Sequence, residues 1–331
     1  MSTVVAGGLL LGVVAYAVFG GADFGAGFWD LTAGGAASGG PVRALIDRSV
    51  GPVWEANHTW LIYCLVVFWT AFPTAFAAVM TTLYLPLGLA ALGIVLRGSG
   101  FAFRKVLVHT REQRVTGAAF ALSSVVTPFF FGTVIGGIAS GRVPPHGNGD
   151  AVRSWVNPTS LLAGALAVAV CAYLAAVFLT ADARNAGDGR LEVWFGRRAW
   201  AAAWLAGAIS IIGLAVAHAD AHRLFTRLLG PGLPAVIISV LAGAAALAML
   251  RRGAPRVVRV LAAVAVAALV VGWGVAQYPY VLGTHSSIAS VAAPHATLVA
   301  LAVIFGLAIL FVVPSFLLLY ILQQRARLSE E

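Results

Sequence analysis

The chain has 331 residues, 60% hydrophobic and 10% charged, with mean hydropathy +0.93 and a formal net charge of +9. Soluble domains carry about 25% charged residues, so the composition excludes one and indicates an all-α, polytopic transmembrane helical protein. The positive balance does not point to nucleic acid, because the arginines fall in short gaps between apolar runs, where they act as a topology signal.

Apolar runs predict nine spans, at 4–28, 53–72, 74–96, 115–139, 157–181, 199–219, 232–250, 257–277 and 294–321, in a single integral membrane domain covering 1–331. The second and third are parted only near Phe72-Pro73-Thr74, where proline favours a tight turn. Nine spans leave only Arg142, Arg153, Arg223 and Arg227 of the 21 Lys and Arg on one side. That bias places the N-terminus outside and the C-terminus in the cytoplasm. No basic segment precedes the first apolar run, which argues against a cleaved signal peptide. Cys64 and Cys171 lie inside apolar runs without CxxC spacing, so neither a disulfide framework nor a metal site is implied.

The first span ends in Gly20-Gly21-Ala22-Asp23-Phe24-Gly25-Ala26-Gly27, a small-residue face that lets another helix approach closely. Asp23 within it reads either as a capping acid or as a buried protonatable group. Residues 30–52 contain a short amphipathic turn around Val42–Arg48. Gly51-Pro52-Val53-Trp54-Glu55-Ala56-Asn57-His58-Thr59-Trp60-Leu61-Ile62 then opens the second span. Helical spacing puts Glu55, His58 and Thr59 on one face, with Trp54, Asn57 and Trp60 in the same turn and a half. Glu55 could simply favour the positive end of the helix dipole. An acid, an amide, an imidazole and two indoles leading into hydrocarbon favour a functional cluster instead.

Thr81, Thr82, Tyr84 and Pro86 predict a polar, kinked third span. Arg97 at its end is a topology anchor or a counter-charge for Glu55 or Asp23. Phe129, Phe130 and Phe131 form an aromatic patch for packing or lipid. His218, Asp220 and His222 have spacing compatible with a surface metal, although an exposed loop explains them more simply. Residues 277–295 carry no Lys, Arg, Asp or Glu, which suits a segment lying in the interface or against a partner chain. His295 and Met80 are weak haem-ligand candidates, and no nucleotide-binding or HEXXH motif is present.

The first-span glycine motif, the Trp54–Trp60 motif, Arg97-Gly98-Ser99-Gly100-Phe101-Ala102-Phe103-Arg104 and Tyr278-Pro279-Tyr280 occur in an order that resembles subunit II of the cytochrome bd-type quinol oxidases, respiratory terminal oxidases of the bacterial inner membrane. That resemblance implies nine helices as two four-helix bundles plus a peripheral helix, in a heterodimer with a haem-bearing subunit I. The partner would carry two b-type haems, the d-type haem and the quinol site. This chain would bind no haem firmly, while a structural quinone, lipid and a small single-helix subunit are further expected associates. Glu55 would pass protons from the cytoplasm, with Asp23 and His58 beside it and Arg97, Trp54, Asn57 and Trp60 in support. Gly20 and Ala102 stand where relatives commonly carry acids, which interrupts the expected relay. A proton-coupled secondary transporter using Glu55 and Asp23 is the alternative reading.

Overall fold

The computed structural model describes residues 1–50, 54–104, 110–252 and 255–329. Gly51, Pro52 and Val53 of the central motif, and Lys105, lie outside the described residues. The side chains at 101–104 and 110–115 do so too, among them those of Ala102 and Arg104.

The first span is a 30-residue helical segment, Ser2–Leu31. Its α1 (Ser2–Ala15) passes into α2 (Gly21–Leu31) through a π-helical turn, Tyr16–Gly20. Then follow α3 (Ala36–Val50), α4 (Trp54–Ala71), α5 (Pro73–Thr82), α6 (Tyr84–Arg104), α7 (Thr110–Ala139) and α8 (Pro158–Asn185). The rest comprises α9 (Gly189–Asp220), α10 (His222–Leu229), α11 (Leu233–Arg251), α12 (Pro255–Gln277), a short hairpin of β1 (Tyr280–Leu282) and β2 (Ser286–Ser287), and α13 (His295–Ser329). The first four-helix bundle is α1–α2, α4, α6 and α7. The second is α8, α9, α11 and α12, and α13 lies outside both, against α1 and α4.

Three expectations change. The third span is not one kinked helix over 74–96. Pro73 opens α5 after a bend of 117° from α4, and a second break at Leu83 starts α6. Proline lacks the N–H that would continue the α4 ladder, yet suits a helix start. Pro86 falls in the first turn of α6, where its missing donor is not needed, so it produces no kink. The break at Leu83 is held from outside: the Gly149 amide donates to Thr82 Oγ1 at 3.2 Å, tying the 140–157 loop to it. Second, the amphipathic turn near 42–48 is a 15-residue helix, α3, that buries Val42, Leu45 and Ile46 and joins α2 through Arg43 Nε donating to Asp30 Oδ1 at 2.7 Å. Third, the uncharged segment after α12 folds onto its own chain. Leu282 is buried, the Ala293 amide donates to the Ala71 carbonyl at 2.8 Å, and Arg223 and Arg227 donate to the Gly283 and Tyr278 carbonyls.

Close helix approach through glycine sets the bundle. A Cβ at Gly25 would fall inside the Cys171 carbonyl of α8, and one at Gly136 would overlap the Ser160 backbone. Those contacts are backbone against side chain, so no rotamer change relieves them. Gly25→Ala is therefore expected to lower the thermal midpoint and the yield of folded protein, at a cost of roughly 1–3 kcal/mol or more. Gly7→Ala is expected to be neutral, because nothing lies within 4 Å of a Cβ there. Thermal unfolding in detergent checks both.

Candidate functional site

Asp23 and Arg97 meet inside the first bundle. Each side chain is 1% exposed, and Arg97 Nη2 donates to Asp23 Oδ1 at 2.7 Å and to the Asp23 carbonyl at 2.8 Å. Arg97 Nη1 donates to Ser124 Oγ on α7. The guanidinium lies between two rings, 5.0 Å from the Phe24 centroid and 4.5 Å from that of Phe120. Gly27 makes room for this arrangement, since a Cβ there would overlap Ser124 and come within 3.0 Å of Arg97 Nη1. Of the two counter-charge roles open to Arg97, the structure selects Asp23.

Asp23 Oδ2 and Arg97 Nε are buried without a hydrogen-bond partner among the described residues, as are the Tyr16 hydroxyl and Thr127 Oγ1. Such groups are normally satisfied by protein or ordered water, so this part of the bundle is chemically unsaturated. Tyr16 packs edge-on against Phe24, His58 and Phe131. Its ring occupies the space beside Gly20, where a Cβ would come within 2.8 Å of it. Neither Tyr16 nor the Phe120 and Ser124 pair on α7 stands out in the sequence. Their role depends on which helix lies opposite.

Glu55 does not join this pair. It is exposed on α4, in a row with Thr59, Ile62, Val66 and Trp69 at helical spacing, and has no hydrogen bond or ion pair to a described residue. His58 is half-buried, its Nδ1 3.0 Å from the Trp54 carbonyl one turn back. Its ring centroid lies 6.1 Å from that of Phe24, the same ring that flanks Arg97. His58 therefore borders the buried pair through an aromatic wall, and Glu55 is separate from both. Asn57 Nδ2 donates to the Phe19 carbonyl in the π turn at 3.3 Å, fastening α4 to the first span. Trp54 packs at the edge of the core that α2, α3, α8 and α9 share, and Trp60 packs against Tyr63.

The His218, Asp220 and His222 group is not arranged for a metal. Asp220 receives two hydrogen bonds from Arg142, at 2.5 and 3.1 Å, and one from the Thr159 hydroxyl at 2.5 Å, while the two histidine rings pack on each other and on Phe225. Among the described residues no group of three or more His, Cys, Asp or Glu could hold a metal ion. Of the haem-ligand candidates, His295 is exposed at the start of α13, and Met80 is 39% exposed on α5.

Three outcomes follow for stability. A buried charge left without its partner costs about 3–5 kcal/mol, whereas removing both charges is far less damaging. Asp23→Leu and Arg97→Met should each reduce the folded yield sharply, and the double substitution should recover much of it. Double-mutant thermal melts measure that coupling. Asp220→Asn should lower stability by about 1 kcal/mol, since its pair is partly solvent-screened. Chelator and added divalent cations should leave the melting temperature unmoved, and a metal-dependent melt would contradict the structural assignment.

Comparison with known proteins agrees with this architecture. Residues 1–323 match the family model described as cytochrome bd terminal oxidase subunit II. The chain is 26% identical over 189 residues to the cytochrome bd ubiquinol oxidase subunit 2 of Bacillus subtilis, covering 56% of this chain and 54% of the relative. It is 26% identical over 219 residues to the cytochrome bd-I ubiquinol oxidase subunit 2 of Escherichia coli, covering 63% and 54%. The chain thus spans about half the length of the curated relatives it matches. The solved bd oxidase of Geobacillus thermodenitrificans contains a chain of the same fold, with TM-score 0.83 at 23% identity over 97% of this chain and 98% of that one. The chain belongs to the cytochrome bd terminal oxidase subunit II family.

Proposed function

We propose that this chain is the haem-free accessory subunit of a quinol:oxygen oxidoreductase, paired with a haem-bearing subunit I that holds b- and d-type haems and the quinol site. The observation that carries the reading is Glu55. It stands on an uncovered face of α4 whose next turns are apolar, with Ile62 62%, Val66 49% and Trp69 64% exposed. A carboxylate facing lipid is expensive, whereas one facing a protein partner can be hydrated and put to use. The face of α4 is on this reading the partner surface, with Glu55 at the junction.

In the complex, each oxygen reduced to two waters takes four electrons and four protons. Two quinols supply the electrons and release four protons on their own side of the membrane. The haems, bound in the partner, supply the electron transfer and oxygen chemistry. This chain's contribution is a route by which protons reach that chemistry from the cytoplasm. Glu55 takes up and hands on a proton at its carboxylate. His58 borders the route, and Asp23, paired with Arg97, lies behind it. The basic-rich ends of the helices face the cytoplasm in this arrangement, with the N-terminus outside. The missing acids at Gly20 and Ala102 leave the onward step from Glu55 to water or to the partner's groups. A structural quinone and a small single-helix subunit remain compatible additions, and the proton-coupled transporter finds no support in the comparisons.

Glu55→Gln in the assembled complex is the test. Quinol oxidase turnover should fall by about tenfold or more, with haem content and assembly unchanged, because the amide cannot carry the proton. Unchanged turnover with intact haems would remove Glu55 from the route, and loss of the partner on purification would show an assembly role instead.

A further inference from the structure

A cavity of about 500 Å³ lies between elements of the two bundles, at the sparsely basic end of the molecule. Residues 139–145 at the end of α7 form one wall, and the α9–α10 break from Asp220 to Arg223 forms another. Gln277 at the end of α12 and the hairpin turn 283–285 complete it. Asp220 is fully claimed by the protein. Its carboxylate accepts from Arg142 at 2.5 and 3.1 Å, from the Thr159 hydroxyl at 2.5 Å and from the Thr159 amide at 3.3 Å. Arg223 is different. Its Nη1 donates to the Gly283 carbonyl, and the guanidinium lies 4.6 Å from the Tyr280 ring centroid. A carbonyl and a ring orient that charge without neutralising it, and Arg223 makes no ion pair with a described residue. Gln277 adds a second unmet demand, since its Nε2 is buried without a hydrogen-bond partner among the described residues.

The balance of donors and acceptors identifies the ligand class. Arginine is scarce at this end of the chain, so a topology signal does not account for Arg223. Two guanidiniums and one carboxylate line the cavity, and the carboxylate already belongs to Arg142. What is left over is a cation and an unmatched amide donor, with the exposed His285 at the rim. A cationic ligand would find no free carboxylate there, and a neutral one would leave the guanidinium uncompensated. An anion rich in acceptor oxygens answers both demands. Arg223, Gln277 and His285 belong to three separate elements around the cavity. The two oxygens of a carboxylate lie in one plane, whereas those of a phosphate are tetrahedral and accept from several sides at once. Guanidinium also matches phosphate geometry well. A cavity of this size has room for the phosphate and part of an attached ester group.

We propose that this cavity is a binding site for a phosphate oxyanion, carried either by a phospholipid head or by a soluble phosphate ester. Arg223 supplies the countercharge, Gln277 Nε2 donates to a second oxygen, and His285 closes the open side. The Arg142–Asp220 pair is a wall of the site and takes no part in holding the anion. Because the walls come from α7, α10, α12 and the hairpin, the bound anion ties these four elements together. Its binding therefore raises the stability of the folded protein by mass action.

The test uses the full chain purified with whatever assembles with it and washed free of loosely held lipid in detergent. Equilibrium dialysis with labelled orthophosphate, at constant ionic strength, measures binding, and native mass spectrometry counts phosphatidylglycerol retained from nanodiscs. The unaltered protein should hold a single phosphate group saturably, with acetate competing at least about tenfold more weakly. Gln277→Leu removes a donor that holds nothing else in the protein, so it should weaken binding about tenfold without lowering the melting temperature of the anion-free protein. Arg223→Gln should abolish binding, and Arg153→Gln, at the same end but outside the cavity, should leave it unchanged. Glycerol 3-phosphate and phosphatidylglycerol then separate the two sources. Displacement of labelled phosphate by the lipid far below the concentration needed of glycerol 3-phosphate identifies a lipid head, and comparable displacement identifies a soluble ester. Retention of neither orthophosphate nor phosphatidylglycerol by the unaltered protein would overturn the proposal. Acetate competing as well as phosphate would do so too, as would binding that Gln277→Leu leaves untouched.

Discussion

A buried guanidinium–carboxylate pair can exist within a helical bundle only where neighbouring helices come close enough to satisfy it. The first bundle meets that condition through the glycines of α2. Gly25 brings α2 onto the α8 backbone and Gly27 lets Ser124 and Arg97 approach from α7 and α6. With these contacts in place, Arg97 reaches Asp23, Ser124 and two aromatic faces at once. Taking two charges out of water is a large penalty that the pair itself hardly recovers. The packing of α2, α6 and α7 has to hold the geometry, and the pair in turn fixes the register of three helices.

The same region is left unsaturated, with polar atoms of Asp23, Arg97, Tyr16 and Thr127 all buried and unpartnered among the described residues. A core built only for stability pairs or omits such groups. The π turn at Tyr16–Gly20 adds to this picture, because such turns interrupt the regular ladder and the Phe19 carbonyl is instead met by Asn57 of α4. The polarity of the central motif is thus divided. Asn57 and His58 look inward to the first span, and Glu55 looks outward.

Charge on the opposite end of the molecule is used differently. Of the four arginines on the sparsely basic side, Arg142 is held by Asp220, and Arg223 and Arg227 are held by carbonyls of the segment after α12. They fasten the loops at that end to one another. Among the described residues, Arg48, Arg184, Arg190, Arg197 and Arg252 at the other end are exposed, as expected where charge serves topology.

Membrane residence and the all-helical class were legible in the sequence, because hydrocarbon imposes long apolar runs and makes every intramembrane charge conspicuous. Asp23, Glu55 and Arg97 stood out for that reason, and the order of the motifs gave the family resemblance. The sequence could not say which acid Arg97 pairs with, since that depends on how α6 faces α2 across 74 residues of chain. It predicted a kink at Pro86 where the chain breaks at Leu83, because the break is held by Gly149 of a distant loop. It likewise marked His218, Asp220 and His222 by spacing alone, whereas Arg142 and Thr159 had already claimed the carboxylate in space. Local pattern determines where a helix runs and which side chains are costly. Only tertiary packing decides which of those side chains meet, because partners in a bundle are chosen by helix register and approach rather than by separation along the chain.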